Sequence, residues 1–204
     1  MAKYKNSRIL PTVLVVVIVI IAIVALISGA RAIFFSGSSS REEVTDTTVA
    51  SLLSTSVSSS VSMSVRGPIV ADENFHSYRI VVSPTSRQIT TYNGYLGTVI
   101  SQQTLGNNTA AYEEFVNALN LAKMTAGNQP TGEDEDEDNN VRGICATGNL
   151  SEFSILNNDM SVETLWTSTC DGSKGTLRAN VTQLSNLFTA QIPDSRTLIR
   201  AIDL

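Results

Sequence analysis

One histidine, one tryptophan and two cysteines are all that this 204-residue chain contains, and those shortages exclude much chemistry. With His76 as the lone imidazole, a Ser-His-Asp arrangement has a single candidate base, standing in ENFHSY near the start of an expected strand. No GxSxG elbow is present. No SxxK pair exists either, because Asn120 precedes Lys123 by three residues and Asp171 precedes Lys174 by three. Ser173 beside Lys174 reads as a turn. Neither Cys145 nor Cys170 has a partner at CxxC spacing, and one histidine does not complete a zinc ligand set. Catalytic residues are therefore none, and no cofactor is expected. Glu152, Glu163 and Asp171 are the carboxylates whose convergence would support hydrolysis, but nothing in their spacing points to it.

Acidic residues are missing from the first 31 positions, and no charge of either sign occurs between Ile9 and Ala30. What stands there instead is TVLVVVIVIIAIVALI, residues 12–27, preceded by Lys3, Lys5 and Arg8. An uncharged, mostly apolar stretch of about 18 residues or more spans the hydrocarbon core as a helix. In lipid the helix satisfies its own backbone hydrogen bonds, which overrides the poor helical propensity of so many β-branched residues. The basic flank stays in the cytoplasm. The expectation is a single-pass anchor over residues 9–30, with residues 1–8 cytoplasmic and the C-terminal domain extracytoplasmic. A cleaved signal peptide has a similar layout, and Ala30-Arg31-Ala32 is a loose small-x-small site. The apolar run, however, exceeds the 7–15 residues usual for such a core. A pilin-type start lacks its Glu and processing Gly, and no cysteine follows closely enough for a lipid-modified anchor.

Beyond Arg31 the charge is one-sided, with 10 basic against 19 acidic side chains, a balance of minus nine. Phosphate backbones repel such a domain, so nucleic acid is not an expected partner. An anionic lipid surface would repel it too. Lipid is met through the N-terminal helix alone, and the remaining partner is expected to be a protein or another envelope component. Outside the membrane, two thiols in one small domain form a disulfide, so Cys145–Cys170 is the expected bond.

Residues 31–56 are serine-rich and read as a tether. A short helix is expected over Thr47–Leu53, capped by Asp46 or Thr47. The folded domain is expected over 57–204. Val61, Met63 and Val65 alternate with serines, the signature of a half-buried strand. Tyr78, Ile80, Val82, the SPTS turn, Ile89 and Thr91 read as a hairpin. Asn93-Gly94 is a second turn, and 96–105 a third strand. Tyr112, Phe115, Val116 and Leu119 fall on one helical face behind an Asn108 or Thr109 cap.

Next comes an acidic loop, 127–141, containing six consecutive carboxylates from Glu133 to Asp138. It lacks the ligand spacing and Gly turn of the familiar calcium loop. Labile Ca²⁺ association through Glu133, Asp134, Glu135 and Asp136 is its only metal reading. Strands are expected over 144–147 and 152–156, around Val162–Thr167, and over 175–179. A helix follows from Asn180, buried through Val181, Leu184, Leu187 and Phe188 and stopped by Pro193. A last short helix is expected over 195–202.

Runs of strands punctuated by single helices give an α+β fold, an antiparallel sheet with helices on one face. Trp166, Tyr92 and Tyr95 are the candidate ligand contacts, since aromatics are favoured at binding hot spots, although a lone Trp more often belongs to the core. Sequons at Asn107, Asn149 and Asn180 matter only in a host that glycosylates its secreted proteins.

The segments RGPIVADENFHSYRIVVSPTSRQITTYNGY, YEEFVNAL, RGICATG and LWTSTCDGSKGTL give the chain a resemblance over nearly its whole length. It resembles small uncharacterised single-pass membrane proteins of the Saccharibacteria, ultrasmall bacteria that live attached to other bacteria. The resemblance implies a bacterial envelope, makes the sequons irrelevant, and carries no functional residue. The sequence-level expectation is a membrane-anchored binding or interaction module. The alternatives are a self-associating envelope protein and an extracytoplasmic hydrolase.

Overall fold

Val61, Met63 and Val65 are the axis around which the structure is built. In the computed structural model, which describes residues 47–128, 141–172 and 175–204, they lie on β1 (Ser59–Arg66) and are nearly inaccessible. β1 pairs with β2 (His76–Val82) on one side and β5 (Leu150–Asn157) on the other. The sheet is completed by β3 (Ser86–Asn93), β4 (Thr98–Gly106) and β6 (Met160–Ser168). Six strands stand in the order β4-β3-β2-β1-β5-β6, all antiparallel. This is the α+β architecture.

Register keeps one apolar row on one face. Val61 stands opposite Val82 and Ile155, Met63 opposite Ile80 and Phe153, and Val65 opposite Tyr78. Helices cover that row. α2 (Thr109–Leu121) buries Tyr112, Phe115, Val116 and Leu119, the face its 3.6-residue period specifies. Asn108 caps it, its side chain accepting from the Ala111 N–H at 3.0 Å. α3 (Val181–Ala190) is capped in the same way by Asn180 and buries Leu184 and Phe188. Phe188 meets Phe115 edge-on at 5.3 Å and Phe153 at 6.0 Å, which ties both helices to the sheet. α4 (Ser195–Arg200) follows Pro193.

The opposite face is polar. It carries Ser60, Ser62 and Ser64 of β1, Arg79 of β2 and Thr90 of β3, with Glu152 of β5 in the same row as Ser64. The serines are too short to reach past their neighbours, so Ser62 is 2% exposed and the Arg79 guanidinium reaches over to its Oγ at 3.3 Å. Hydroxyl and amide bonds continue outward, from Thr104 to Gln88 to Thr90 on one side and between Ser154, Thr164 and Ser161 on the other.

Two segments differ from the sequence reading. Residues 144–147 form no strand: Gly143 holds a positive φ of 75°, and the chain bends around the disulfide described below. Residues 175–179 contribute a single bridge, Leu177 to Gly127, because Gly175 also takes a positive φ and breaks the extended run. The second half therefore supplies two strands to the sheet. The short helix expected over Thr47–Leu53 forms over residues 47–52 (α1); its Leu52 is fully buried, and the compact unit begins at Thr47. Ser54, Ser56, Ser58 and Ser59 then bond one another through their hydroxyls and lead the chain into β1. The apolar run 12–27 lies outside the described residues, and among those described no helix is long and apolar enough to cross a membrane.

Tyr78 and Tyr112 are buried phenols whose pKa values burial pushes up to about 12. Their contribution to stability is complete below the unfolded value of about 10 and is lost as pH rises through 12. We expect each to withdraw about 2 kcal/mol by pH 12. Urea unfolding followed by far-UV circular dichroism at pH 9 and pH 12 checks this, and Tyr78→Phe and Tyr112→Phe variants each flatten the loss.

Candidate functional site

One end of the sheet, where β1 and β3 finish and β2 and β4 begin, is bolted together by side chain to backbone bonds. Asn93-Gly94 starts the turn between β3 and β4, with positive φ at Gly94 and Gly97. A Cβ on Gly94 would come within 3.0 Å of the Asp72 carboxylate, so the turn approaches the Asp72–Asn74 3₁₀ turn as closely as only glycine allows. Asp72 Oδ1 accepts from the Tyr95 N–H at 2.7 Å. The Tyr95 ring stacks on Phe75, with centroids 4.1 Å apart. Its hydroxyl donates to the Val70 carbonyl at 2.7 Å and accepts from the Val70 N–H at 3.1 Å. Tyr95 thus satisfies both backbone groups of a residue 25 positions earlier.

The same end is pinned from its other side. The Ile69 N–H donates to the Ala146 carbonyl at 2.9 Å. Cys145 and Cys170 are joined in a disulfide, which fastens this loop to the end of β6. Gly148 packs so tightly here that a Cβ would meet both sulfurs and the Thr169 hydroxyl. A disulfide in a small domain fits an oxidising, extracytoplasmic setting.

Between the two pinned segments lies a cavity of about 580 Å³, lined by Arg66, Ile69, Phe75, Ser77, Tyr95, Arg142, Cys145 and Leu150 among others. A hollow of about 230 Å³ shares Arg66, Ser77 and Gly97 with it and adds Arg79 and Tyr92 on the polar face. Arg66 is held by Glu152 at 2.8 Å and remains 43% exposed. Such a half-exposed pair contributes little to stability, so its consequence is the orientation of the guanidinium. Two further arginines, Arg79 and Arg142, border the same pair of hollows on a chain that is acidic overall.

The rim is apolar. Leu96, at the tip of the turn, is 96% exposed, and Ile69, Val70, Tyr95, Val99 and Ile100 are each 40–53% exposed. An exposed apolar cluster of this kind is a candidate interaction surface.

Tyr92 and Tyr95 are brought to this end of the sheet, one in each hollow. Trp166 is not. It lies opposite Glu152 on β6, four strand spacings or about 19 Å from β3. It is 8% exposed beneath the 175–177 segment, where the Leu177 N–H donates to its carbonyl. Glu152 and Glu163 occupy opposite faces, Glu163 standing opposite Ile155 on the apolar side, so these carboxylates do not converge. Glu133, Asp134, Glu135 and Asp136 lie outside the described residues. Among those described, no group of three His, Cys, Asp or Glu residues is arranged to hold a metal. Phe75, Leu96, Arg66 and Arg142 were not singled out from sequence, though an apolar Leu96 in an N-G-Y-L-G turn is the signal that was there to be read.

Comparison with known proteins finds no family model and no curated protein that this chain matches. The site therefore rests on its own geometry.

The disulfide closes a loop of 25 residues, so we expect Cys145→Ser/Cys170→Ser to cost about 3–4 kcal/mol. Urea denaturation of the two proteins at neutral pH measures the difference.

Proposed function

We propose that the chain is a membrane-anchored extracytoplasmic binding module that seats a protein or envelope partner at the cleft beside the β3–β4 turn. The observation that carries this reading is a cavity of about 580 Å³ with the exposed Ile69 and Tyr95 in its wall and Leu96, 96% exposed, beside them in the turn. Rigid aromatic anchors beside a preformed hollow are the usual furniture of a binding surface, since little entropy is lost when they are covered. Tyr95 is pre-organised by three hydrogen bonds and a ring stack. Arg66 and Arg142 line the cavity wall, and guanidinium groups can bond a carboxylate or phosphate on a partner.

The anchor is residues 9–30, with the N-terminus cytoplasmic and the C-terminal domain outside; the uncharged apolar run and the basic flank support this. The disulfide agrees with that side of the membrane. On this reading the host is a bacterium with an envelope of the kind the Saccharibacterial resemblance implies.

Two measurements test the proposal. Protease added to intact cells is expected to remove a C-terminal tag and spare an N-terminal one; the reverse pattern refutes the topology. Full-length tagged protein is expected to capture a specific surface partner by cross-linking, and Leu96→Ser is expected to lower that capture about tenfold, the loss of one apolar anchor being worth roughly 1–2 kcal/mol. Because Leu96 is almost wholly exposed, its replacement leaves the thermal midpoint unchanged. Equal capture by both proteins removes the cleft rim from the reading.

A further inference from the structure

The two edges of the sheet are treated differently. β6 carries Glu163 and is shielded near its end, where the Trp166 N–H donates to Thr176 Oγ1 and the Leu177 N–H donates to the Trp166 carbonyl. β4 is the last strand on the other side, and among the described residues none lies beyond it. Its sequence, TVISQQTLG, holds no charged residue and no proline. Each of the other five strands has a charged side chain: Arg66, Arg79, Arg87, Glu152 and Glu163. Proteins ordinarily place charge, proline or a cover on an edge strand to prevent pairing with other chains. Among the described residues that protection is missing along β4.

We infer that β4 is a strand-pairing site whose occupant is β4 of a second copy of this chain, joined antiparallel about a two-fold axis. Three observations select a second copy. A two-fold interface brings a surface against itself, so it requires self-complementary groups. Ser101, Gln102, Gln103 and Thr104 are such groups, because each hydroxyl or amide both donates and accepts, whereas any charge near the axis would face its own like. The acidic balance of the chain also disfavours close approach of two copies elsewhere, and β4 is the strand from which charge has been left out. Finally, the irregularity in β3–β4 pairing falls between Thr91 and Tyr92, leaving the register from Ser101 to Gly106 regular and so available for ladder formation. The β4 ladder is distinct from whatever binds the cleft, and an anchored chain raises its local concentration by confinement to one membrane.

Single cysteines placed along Ser101–Leu105 of the full-length chain in detergent test the pairing, with copper phenanthroline as oxidant. Opposed residues on antiparallel strands have Cα atoms about 4.5–5.5 Å apart, within the range a disulfide spans. Antiparallel pairing gives covalent dimer that peaks at the axis and falls away on both sides, with none from Met160→Cys on β6. Uniform cross-linking along the strand, or none at all, overturns the inference. As a second readout, Gln102→Lys/Thr104→Lys adds charge at two exposed positions and is expected to abolish the dimer in analytical ultracentrifugation while leaving the thermal midpoint in place. A dimer that persists in this variant also overturns it. Leu96→Ser leaves the dimer intact, so failure of the cleft reading and failure of this one are separable.

Discussion

The central strand β1 is the constraint on which the rest depends. It is hydrogen-bonded to a neighbour along both sides, and every residue from Val61 to Arg66 has a partner on each. A shift of one residue would turn Ser60, Ser62 and Ser64 into the core and expose Val61, Met63 and Val65. Burying three hydroxyls against Phe153, Ile80 and Phe188 without partners would cost several kcal/mol. The alternation of valine or methionine with serine therefore sets the register of β2 and β5, and through them of the sheet. The helices then have one face on which to pack.

That register also determines what arrives at the end of the sheet. Because Arg66 closes β1 on the polar face, Glu152 of β5 is near enough to hold it. Because β2 starts at His76, the chain between Gly67 and Phe75 must cross the end of the sheet, where Asp72 and Val70 meet Tyr95. The cavity is the space left between this crossing and the disulfide loop. Its walls are rigid by construction: a disulfide, two glycines that admit no Cβ, and a tyrosine bonded through both its backbone and its hydroxyl. A preformed hollow with an apolar rim loses little freedom on binding, which is what a recognition surface requires.

The sheet ends in an asymmetry of the same origin. Trp166 needs cover because it stands on the polar face, and the 175–177 segment supplies it by bonding the β6 backbone. Along Ser101–Thr104 the β4 side chains are hydroxyls and amides, which need no comparable cover, and Gln102 and Thr104 are exposed to water. The edge left open is thus the one whose side chains tolerate either solvent or a second strand.

Much of this was legible in the residues. The strand alternation, the Asn108 cap, the start of α3 at Asn180, the buried faces of α2 and α3, the Asn93-Gly94 turn and the cysteine pairing are all local or compositional signals, and each acts over a few residues. The segments misread were those governed by distant contacts. Residues 144–147 have strand-like composition but bend around a bond to Cys170, and residues 175–179 break at Gly175 and give a single bridge from Leu177 to Gly127. The site shows the same division. Tyr92 and Tyr95 were visible as aromatics in a turn, but their company with Arg66, Phe75 and Arg142 joins residues far apart along the chain. The sequence by itself determined the periods, caps, turns and the acidic character of the chain, because those follow from side-chain chemistry at short range. Only the tertiary structure decided which ends meet, which edge is covered and where a cavity remains, because those depend on register and packing between segments that no local pattern specifies.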